Sequence, residues 1–468
     1  MNIKHAELEI NTESPFTNCQ LSREPYANIL TEIITTYANG FVLALNGEWG
    51  TGKTTFVKMW KQKLENSNYQ TLYFNAWETD FEENPLIALI AEFKTLTHRG
   101  NDEIFKSLLS KGAVLAKNLA PQLIRSLAEH YILTKAVIDT IENATKSATE
   151  ILESEIEQYN KKKEGIKEFK ETLQNLVETV EKNKPIVFII DELDRCRPSY
   201  SVALLEQIKH LFSVPGIVFV LSIDKEQLGN AVRGVYGSDR INADEYLRRF
   251  IDLEYALPQP DTKMFVTYLY NYFGFSQILE SDQRKAYFDY PYESESLVTT
   301  ASLLFEKSNL ALRKQEKILS HARIAIRSLR ANQYLFSTLF IYLVYLKNHN
   351  LSIFEKIQRK SYSTIELLNE FYKTFPKGIE KHDLNVVINL EATLTCMYES
   401  YINELGCMNL IQKDKDTDIE KVTVKSNFDK SEDQHQFRRF INFFIQKHDY
   451  RGVSIKLILD RINMTQIM

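Results

Sequence analysis

Glycine is scarce in this 468-residue chain, at 15 residues where an average protein has roughly 7%. Nothing repeats along the sequence, and no tract is of low complexity. The four cysteines, Cys19, Cys196, Cys396 and Cys407, are scattered and lack zinc-site spacing. They point to a reduced, cytoplasmic setting. No long hydrophobic run exists. The longest, Tyr334–Leu346 (YLFSTLFIYLVYL), falls short of the roughly 20 residues that cross a bilayer and is expected as a buried helix. The N-terminal MNIKHAELEINTESPF has no apolar core of the kind a signal peptide carries, so neither a leader nor a membrane span is expected. Positive charge is not in excess. A net charge of −5 and a pI near 6.1 argue against wholesale nucleic-acid binding and leave a local basic patch open.

What is present is ordinary for a soluble globular protein: 44% apolar and 25% charged residues, with room for two or three domains. Against that background the glycines of one stretch stand out. Gly47-Glu48-Trp49-Gly50-Thr51-Gly52-Lys53-Thr54 fits the phosphate-loop pattern G-x-x-x-x-G-K-[ST], with Thr55 following. Glycines let backbone N–H groups turn inward and approach a phosphate with no Cβ in the way. Lys53 adds a point charge for the β- and γ-phosphates, and the Thr54 hydroxyl is a candidate magnesium ligand. The flanks agree. Phe41–Asn46 is a short apolar run suited to a buried strand, and Phe56, Met59, Trp60 and Leu64 follow helical spacing. A helix N-terminus would then point at the phosphates of bound ATP.

A phosphate loop needs a carboxylate at the end of a neighbouring strand. Ile186–Ile190 reads as a central parallel strand and runs into Asp191-Glu192-Leu193-Asp194-Arg195. Asp191 is the candidate for the magnesium beside Thr54, and Glu192 for polarising the attacking water. Asp194 and Arg195 fit an internal ion pair as well as catalysis. Ile217–Ile223 is a further strand, ending at Ser222 and Asp224, where a polar side chain either touches the γ-phosphate or the attacking water or simply forms the turn before the helix at Lys225–Val232. Arg248 and Arg249 precede the strand-like run Ile251–Leu257. They are arginine fingers serving a neighbouring subunit, or surface salt bridges. Strand–helix alternation from Phe41 to Leu257 predicts an α/β fold, a parallel sheet flanked by helices with ligands at the carboxyl ends of its strands.

Taken together, these blocks resemble the KAP family of phosphate-loop NTPases. The resemblance rests on GEWGTGKTT, on Tyr73–Glu78 (YFNAWE), on Phe188–Pro198 (FIIDELDRCRP), on Val220–Asp224 (VLSID) and on Tyr246–Asp252 (YLRRFID), and covers roughly Asn11–Leu346. It departs from the family where the usual aspartate pair reads Asp191-Glu192. It departs again where many members place transmembrane helices, because Asn101–Glu150 is amphipathic and charged and cannot span a membrane. Peripheral membrane contact through that segment stays open. The resemblance implies a magnesium-dependent ATPase, assembly as a homo-oligomer, and a setting in phage exclusion or mobile-element defence. By the same resemblance a helical lid supplies an arginine to the γ-phosphate. Arg323 or Arg327 fits that role, on a helix that would carry Arg323, Arg327 and Arg330 along one face, and a solvated basic face fits equally.

The expected organisation is a core over residues 1–260 with a helical insertion at about 95–182, a helical lid over 261–350 and a C-terminal helical region over 351–468. Ile166, Phe169, Leu173, Leu176 and Val180 form one apolar helical stripe expected to pack on the sheet. Trp77 is expected in the core beside the second strand. Lys413–Asp433 reads as a linker or exposed hairpin. Phe437–Phe444 (FRRFINFF) reads as a terminal core helix, with a contact to nucleic acid or a partner protein as the other reading. A guanine-reading NKxD and an LSGGQ-like signature are both missing, which argues against a GTPase and an ABC-type ATPase. A nucleotide-gated scaffold with negligible turnover is the alternative to an ATPase.

Overall fold

A computed structural model of the chain describes residues 9–81, 84–96, 101–119, 147–180, 184–238, 240–285, 291–327, 329–375, 379–403, 410–413, 420–426, 428, 430–446 and 454–463. Two compact units divide at Gln259 and Pro260.

The first unit is built on five parallel strands: β1 (Phe41–Asn46), β2 (Thr71–Asn75), β3 (Ile186–Asp191), β4 (Ile217–Ile223) and β5 (Leu253–Ala256). Their order across the sheet is β2-β3-β4-β1-β5. β3 and β4 are buried along their whole length, which explains why both read as unbroken β-branched and aromatic runs. The two-residue period then sorts their side chains. Val187, Ile189, Val218 and Val220 enter one core with Leu43 and Leu45. Ile186, Phe188, Ile190, Phe219 and Leu221 enter the other.

On the first face lie α1 (Glu24–Thr36) and α2 (Lys53–Asn66). Ala27, Leu30 and Ile34 of α1 share a core with Phe56, Val57 and Trp60 of α2, and the Trp60 indole donates to Thr31 Oγ1 at 2.9 Å. The opposite face carries α3 (Pro85–Glu92), helix Pro198–Leu211 and the two described helices of the insertion, Asp102–Leu119 and Ser147–Val180. Phe169, Leu173 and Leu176 are buried against this face, so the apolar stripe packs on the sheet as expected. Residues 120–146, which make up much of the segment considered for membrane contact, lie outside the described residues. Among the described residues no helix is long and apolar enough to cross a membrane.

Aromatic rings tie the insertion to the strands. Phe188 stacks on Phe219 at 5.3 Å, Phe93 meets Phe188 at 5.5 Å and Phe212 at 5.9 Å, and Phe169 meets Phe212 edge-on at 5.6 Å.

The second unit is mostly helical. Tyr334–Leu346 does form a buried helix, although it starts only at Ser337. Helix Ser431–Gln446 buries Phe437, Ile441 and Phe444 and leaves Arg438 and Arg439 exposed, in keeping with a terminal core helix. Ile411–Lys413 and Glu420–Val422 pair antiparallel, so part of the polar stretch is a hairpin, and helix begins at Ser431. A buried Arg284–Glu293 ion pair at 2.8 Å stands inside this unit.

Helix Leu312–Ala325 stops before Arg327. The expected row of Arg323, Arg327 and Arg330 along one helix face is therefore not formed. Arg327 and Arg330 lie in the turns beyond, both exposed, where Arg327 N donates to Ile324 O and Leu329 N to Ile326 O.

Because Phe188 is fully buried where strand, insertion and loop rings meet, Phe188→Ala should destabilise the first unit by about 3–5 kcal/mol. A chemical denaturation midpoint followed by circular dichroism would measure it. A loss below 1 kcal/mol would show that the ring stack is dispensable.

Candidate functional site

Three loops emerge at the carboxyl ends of β1, β3 and β4, and the phosphate-loop residues, Asp191, Glu192 and Asp224 are found there, whereas Arg248, Arg249, Arg323 and Arg327 are not. After β1 the chain turns through Gly47–Gly52. Gly50 and Gly52 both have φ of +80°, a conformation that side chains with a Cβ rarely adopt. Gly52 is the residue from which α2 starts, so the first N–H groups of that helix open into the loop. Thr51 and Lys53 are buried, Thr54 is half-buried and Thr55 is exposed. The Lys53 ammonium, 8% exposed, donates to Gly47 O and Glu48 O at 2.5 and 3.0 Å. Burial pulls its pKa below the ordinary lysine range, while Asp194, Asp224 and Asp191, in that order, oppose the shift. Those three carboxylates therefore face one cation.

Asp191 closes β3. Its carboxylate accepts from Tyr73 Oη at 3.0 Å and from Glu192 N at 3.0 Å, and in register it lies between Asn75 of β2 and Ser222 of β4. The carboxylate strand is not the immediate neighbour of the phosphate-loop strand, as the sequence reading had it, because β4 stands between β1 and β3. That intervening strand brings in Ser222, whose buried hydroxyl has no hydrogen-bond partner, and Asp224. Asp224 starts helix Lys225–Tyr236, accepting from Gln227 N at 3.2 Å, and its other oxygen accepts from Trp49 N at 3.2 Å. It thus begins the helix and also ties down the phosphate loop.

Glu192 has a left-handed backbone, φ +59°, at the turn out of β3. Its carboxylate pairs with Arg195 at 2.7 Å, and the Asn75 side chain nearby donates through Nδ2 to Glu78 at 2.8 Å. Burial raises its pKa above the usual carboxylate range, Arg195 works against that rise and Asp191 adds to it. Asp194 is not paired with Arg195. It is buried against the phosphate loop, where the Trp49 indole N–H donates to it. Burial again raises its pKa, and Trp49 and Lys53 oppose the shift.

Trp77 is not in the core. It is 51% exposed, and its ring lies 5.5 Å from the Arg195 guanidinium. Arg248 and Arg249 are exposed at the end of the short helix Ala243–Leu247, and among the described residues neither makes an ion pair. They precede β5 at the amino end of the sheet, where Asp252 accepts from Val42 N at 2.8 Å. The loop lies beyond the other end of β1, roughly 13 Å further along at about 3.3 Å per residue. In the second unit, the half-buried Arg323 donates through Nε to Phe273 O at 2.9 Å.

Sequence reasoning gave no role to three contributors: Asn75, Tyr73 and Arg23. Arg23, 3% exposed, donates to Thr51 O at 2.7 Å and Gly52 O at 3.2 Å. Asn75 closes β2 and was legible as a polar residue ending an apolar run, whereas Tyr73 stands in the middle of that strand. Arg23 carries no local signal at all.

A parallel sheet with this loop, a helix N-terminus behind it and an acid closing a central strand defines a phosphate-loop nucleotide-binding protein. A family model described as the KAP family P-loop domain matches residues 23–366, well over half of the chain, so the protein belongs to that family. The match begins later and ends later than the resemblance read from the motifs. No curated protein matches. Among solved structures, the Aeropyrum pernix ORC2 protein in its ADPNP-ADP complexes is 14% identical, with 91% of this chain and 95% of that chain covered. Its TM-score of 0.33 is too low to build on.

A Cβ placed on Gly52 would add the cost of a left-handed backbone and would sit 3.1 Å from an Arg23 nitrogen. Gly52→Ala should destabilise the protein by about 1–2 kcal/mol and weaken nucleotide binding. A thermal melt with and without MgATP would check both, and wild-type behaviour in the two melts would refute the backbone argument.

Proposed function

We propose that this protein is a magnesium-dependent ATPase that couples hydrolysis to a conformational change between its α/β core and its helical C-terminal region. The observation that carries the reading is the phosphate loop at the end of β1 with Lys53 buried in it, tied through Trp49 to Asp194 and Asp224, and with Asp191 closing β3 in register with Ser222. In this reading the loop N–H groups and Lys53 bind the β- and γ-phosphates, and Lys53 leaves its present carbonyl partners to do so. Thr54 and Asp191 would hold magnesium, a hard cation suited to hydroxyl and carboxylate oxygens and to keeping several waters. The unpartnered Ser222 hydroxyl beside Asp191 suits such a water. Magnesium, when bound, neutralises charge on the phosphates as the terminal bond breaks. Glu192 accepts the proton of the attacking water. Arg248 and Arg249, exposed and at the far end of the sheet from their own loop, reach the site of a neighbouring copy. Arg323 or Arg327 contacts the γ-phosphate from the lid, a role to which Arg323 would come by leaving Phe273 O.

A second reading, a nucleotide-gated scaffold with little turnover, draws on one feature. Glu192 is held by Arg195, and a carboxylate so engaged is a weak base. A partner protein on the helical region would then receive the signal. A cytoplasmic setting goes with either reading, and Cys19 and Cys196 are free thiols. Phage exclusion or mobile-element defence rests on the family resemblance and on no single residue.

Lys53→Ala should weaken ATP binding strongly. Glu192→Gln should bind ATP normally and lose on the order of 10²-fold in turnover. The acid limb of the turnover profile should lie above the ordinary glutamate value. Because Arg195 favours the ionised form, Arg195→Met should move that limb to still higher pH. Phosphate release across pH measures all of this. Wild-type protein that binds ATP and releases no phosphate under any condition would leave the scaffold reading standing.

Specific activity should rise with protein concentration. Arg248→Ala or Arg249→Ala should cut hydrolysis while sparing ATP affinity, and mixing either with Lys53→Ala protein should restore part of the activity. A trans arginine is worth roughly 10³- to 10⁵-fold where one acts. Concentration-independent turnover with both arginine variants fully active would remove the finger role.

A further inference from the structure

The buried Arg23 guanidinium occupies a place for which the phosphate loop alone gives no account. Arg23 precedes α1, and α1 is pinned to α2 by the shared core, by the Trp60–Thr31 hydrogen bond and by a Lys63–Glu24 ion pair at 2.6 Å. The side chain is therefore delivered rigidly to the start of α2. Its two terminal nitrogens bond consecutive carbonyls, Thr51 O and Gly52 O. Nε has no partner, and among the described residues no carboxylate pairs with this cation. Burial lowers its pKa.

An uncompensated buried cation is costly to the empty protein. What it does to the loop follows from the peptide plane. In a trans peptide the C=O and N–H point in opposite directions. Holding the oxygens of Thr51 and Gly52 outward thus aims the N–H groups of Gly52 and Lys53 inward, and a cation on the oxygen polarises each N–H. These are the first donors of α2, the groups that a phosphate would meet.

We propose that Arg23 is a positioning residue for the phosphates: it aligns and polarises the Gly52 and Lys53 N–H groups from behind the loop, and its missing counter-ion is the bound polyphosphate. The proposal rests on the nucleotide-binding reading above and adds a residue that lies outside the loop motif. It separates from a plain structural brace by the sign of one effect. Removing a brace destabilises the empty protein, whereas removing an unpaired buried cation does not.

The test compares wild type with Arg23→Met, neutral and of similar length, and with Arg23→Lys, which keeps the charge. MgATP, MgADP and inorganic pyrophosphate are titrated calorimetrically, adenosine serves as the control, and melting temperatures are taken without ligand. For Arg23→Met the expected result is on the order of tenfold weaker binding of all three phosphate ligands, with adenosine unaffected and the ligand-free melting temperature unchanged or raised. Arg23→Lys should recover part of the affinity. Wild-type affinity in Arg23→Met would overturn the proposal. So would a fallen ligand-free melting temperature that Arg23→Lys does not rescue. Should Arg23→Met fail to fold, Arg23→Gln takes its place as the neutral variant, and failure of both would mark the guanidinium as structural and overturn the positioning role. Wild-type protein that binds none of the phosphate ligands would instead remove the nucleotide reading itself.

Discussion

An ammonium taken out of water has to be met by oxygen, and the first unit is arranged around that demand at Lys53. Two loop carbonyls meet it directly, and Asp194, Asp224 and Asp191 face it from two further strands. The sheet makes this possible because parallel strands end on the same side, so groups far apart in sequence arrive at one edge. The order of strands decides which groups they are. With β4 between β1 and β3, the lysine has acids from both, and a polar hydroxyl from β4 lies in register with Asp191.

The same concentration of charge explains the loop's extra ties. Three carboxylates around one cation leave an excess of negative charge, and each is anchored by a neutral donor: Trp49 N–H to Asp224, the Trp49 indole to Asp194, and Tyr73 Oη to Asp191. Neutral donors hold an anion in place without cancelling its field. Behind the loop the sign reverses, because Arg23 puts a cation against the carbonyl side of the same peptides. The loop is thus polarised across its thickness, with its N–H face left for an anion.

Much of the fold was legible because its signals are local. β3 and β4 announce themselves as unbroken apolar runs since both of their faces are buried, and the phosphate loop is contiguous, with its strand and helix on either side. What escaped depended on distant partners. Trp77 reads as a core residue by composition, yet a guanidinium three residues after the β3 turn offers it a partner at the surface. Helix Leu312–Ala325 was expected to run on, since HARIAIRSLR contains neither glycine nor proline. It ends where Ile326 is buried and Arg323 is bonded to Phe273 O, contacts that no periodicity records. The position of β4 between β1 and β3 is likewise a property of the sheet, invisible in the order of the blocks along the chain.

The arrangement at Glu192 follows from its backbone. A left-handed turn directly after Asp191 carries the carboxylate away from the line of β3 and toward Arg195. A residue with a Cβ in that conformation is strained, and strain of this kind persists only where the surroundings hold it. Here the holder is a cation, which favours the ionised form. It would compete with a water for the same oxygens. The group best placed to serve as base is therefore already engaged in the empty protein, and movement of the Leu193–Arg195 turn would set it free. Because the exposed Trp77 indole lies against Arg195, its displacement would act on that holder.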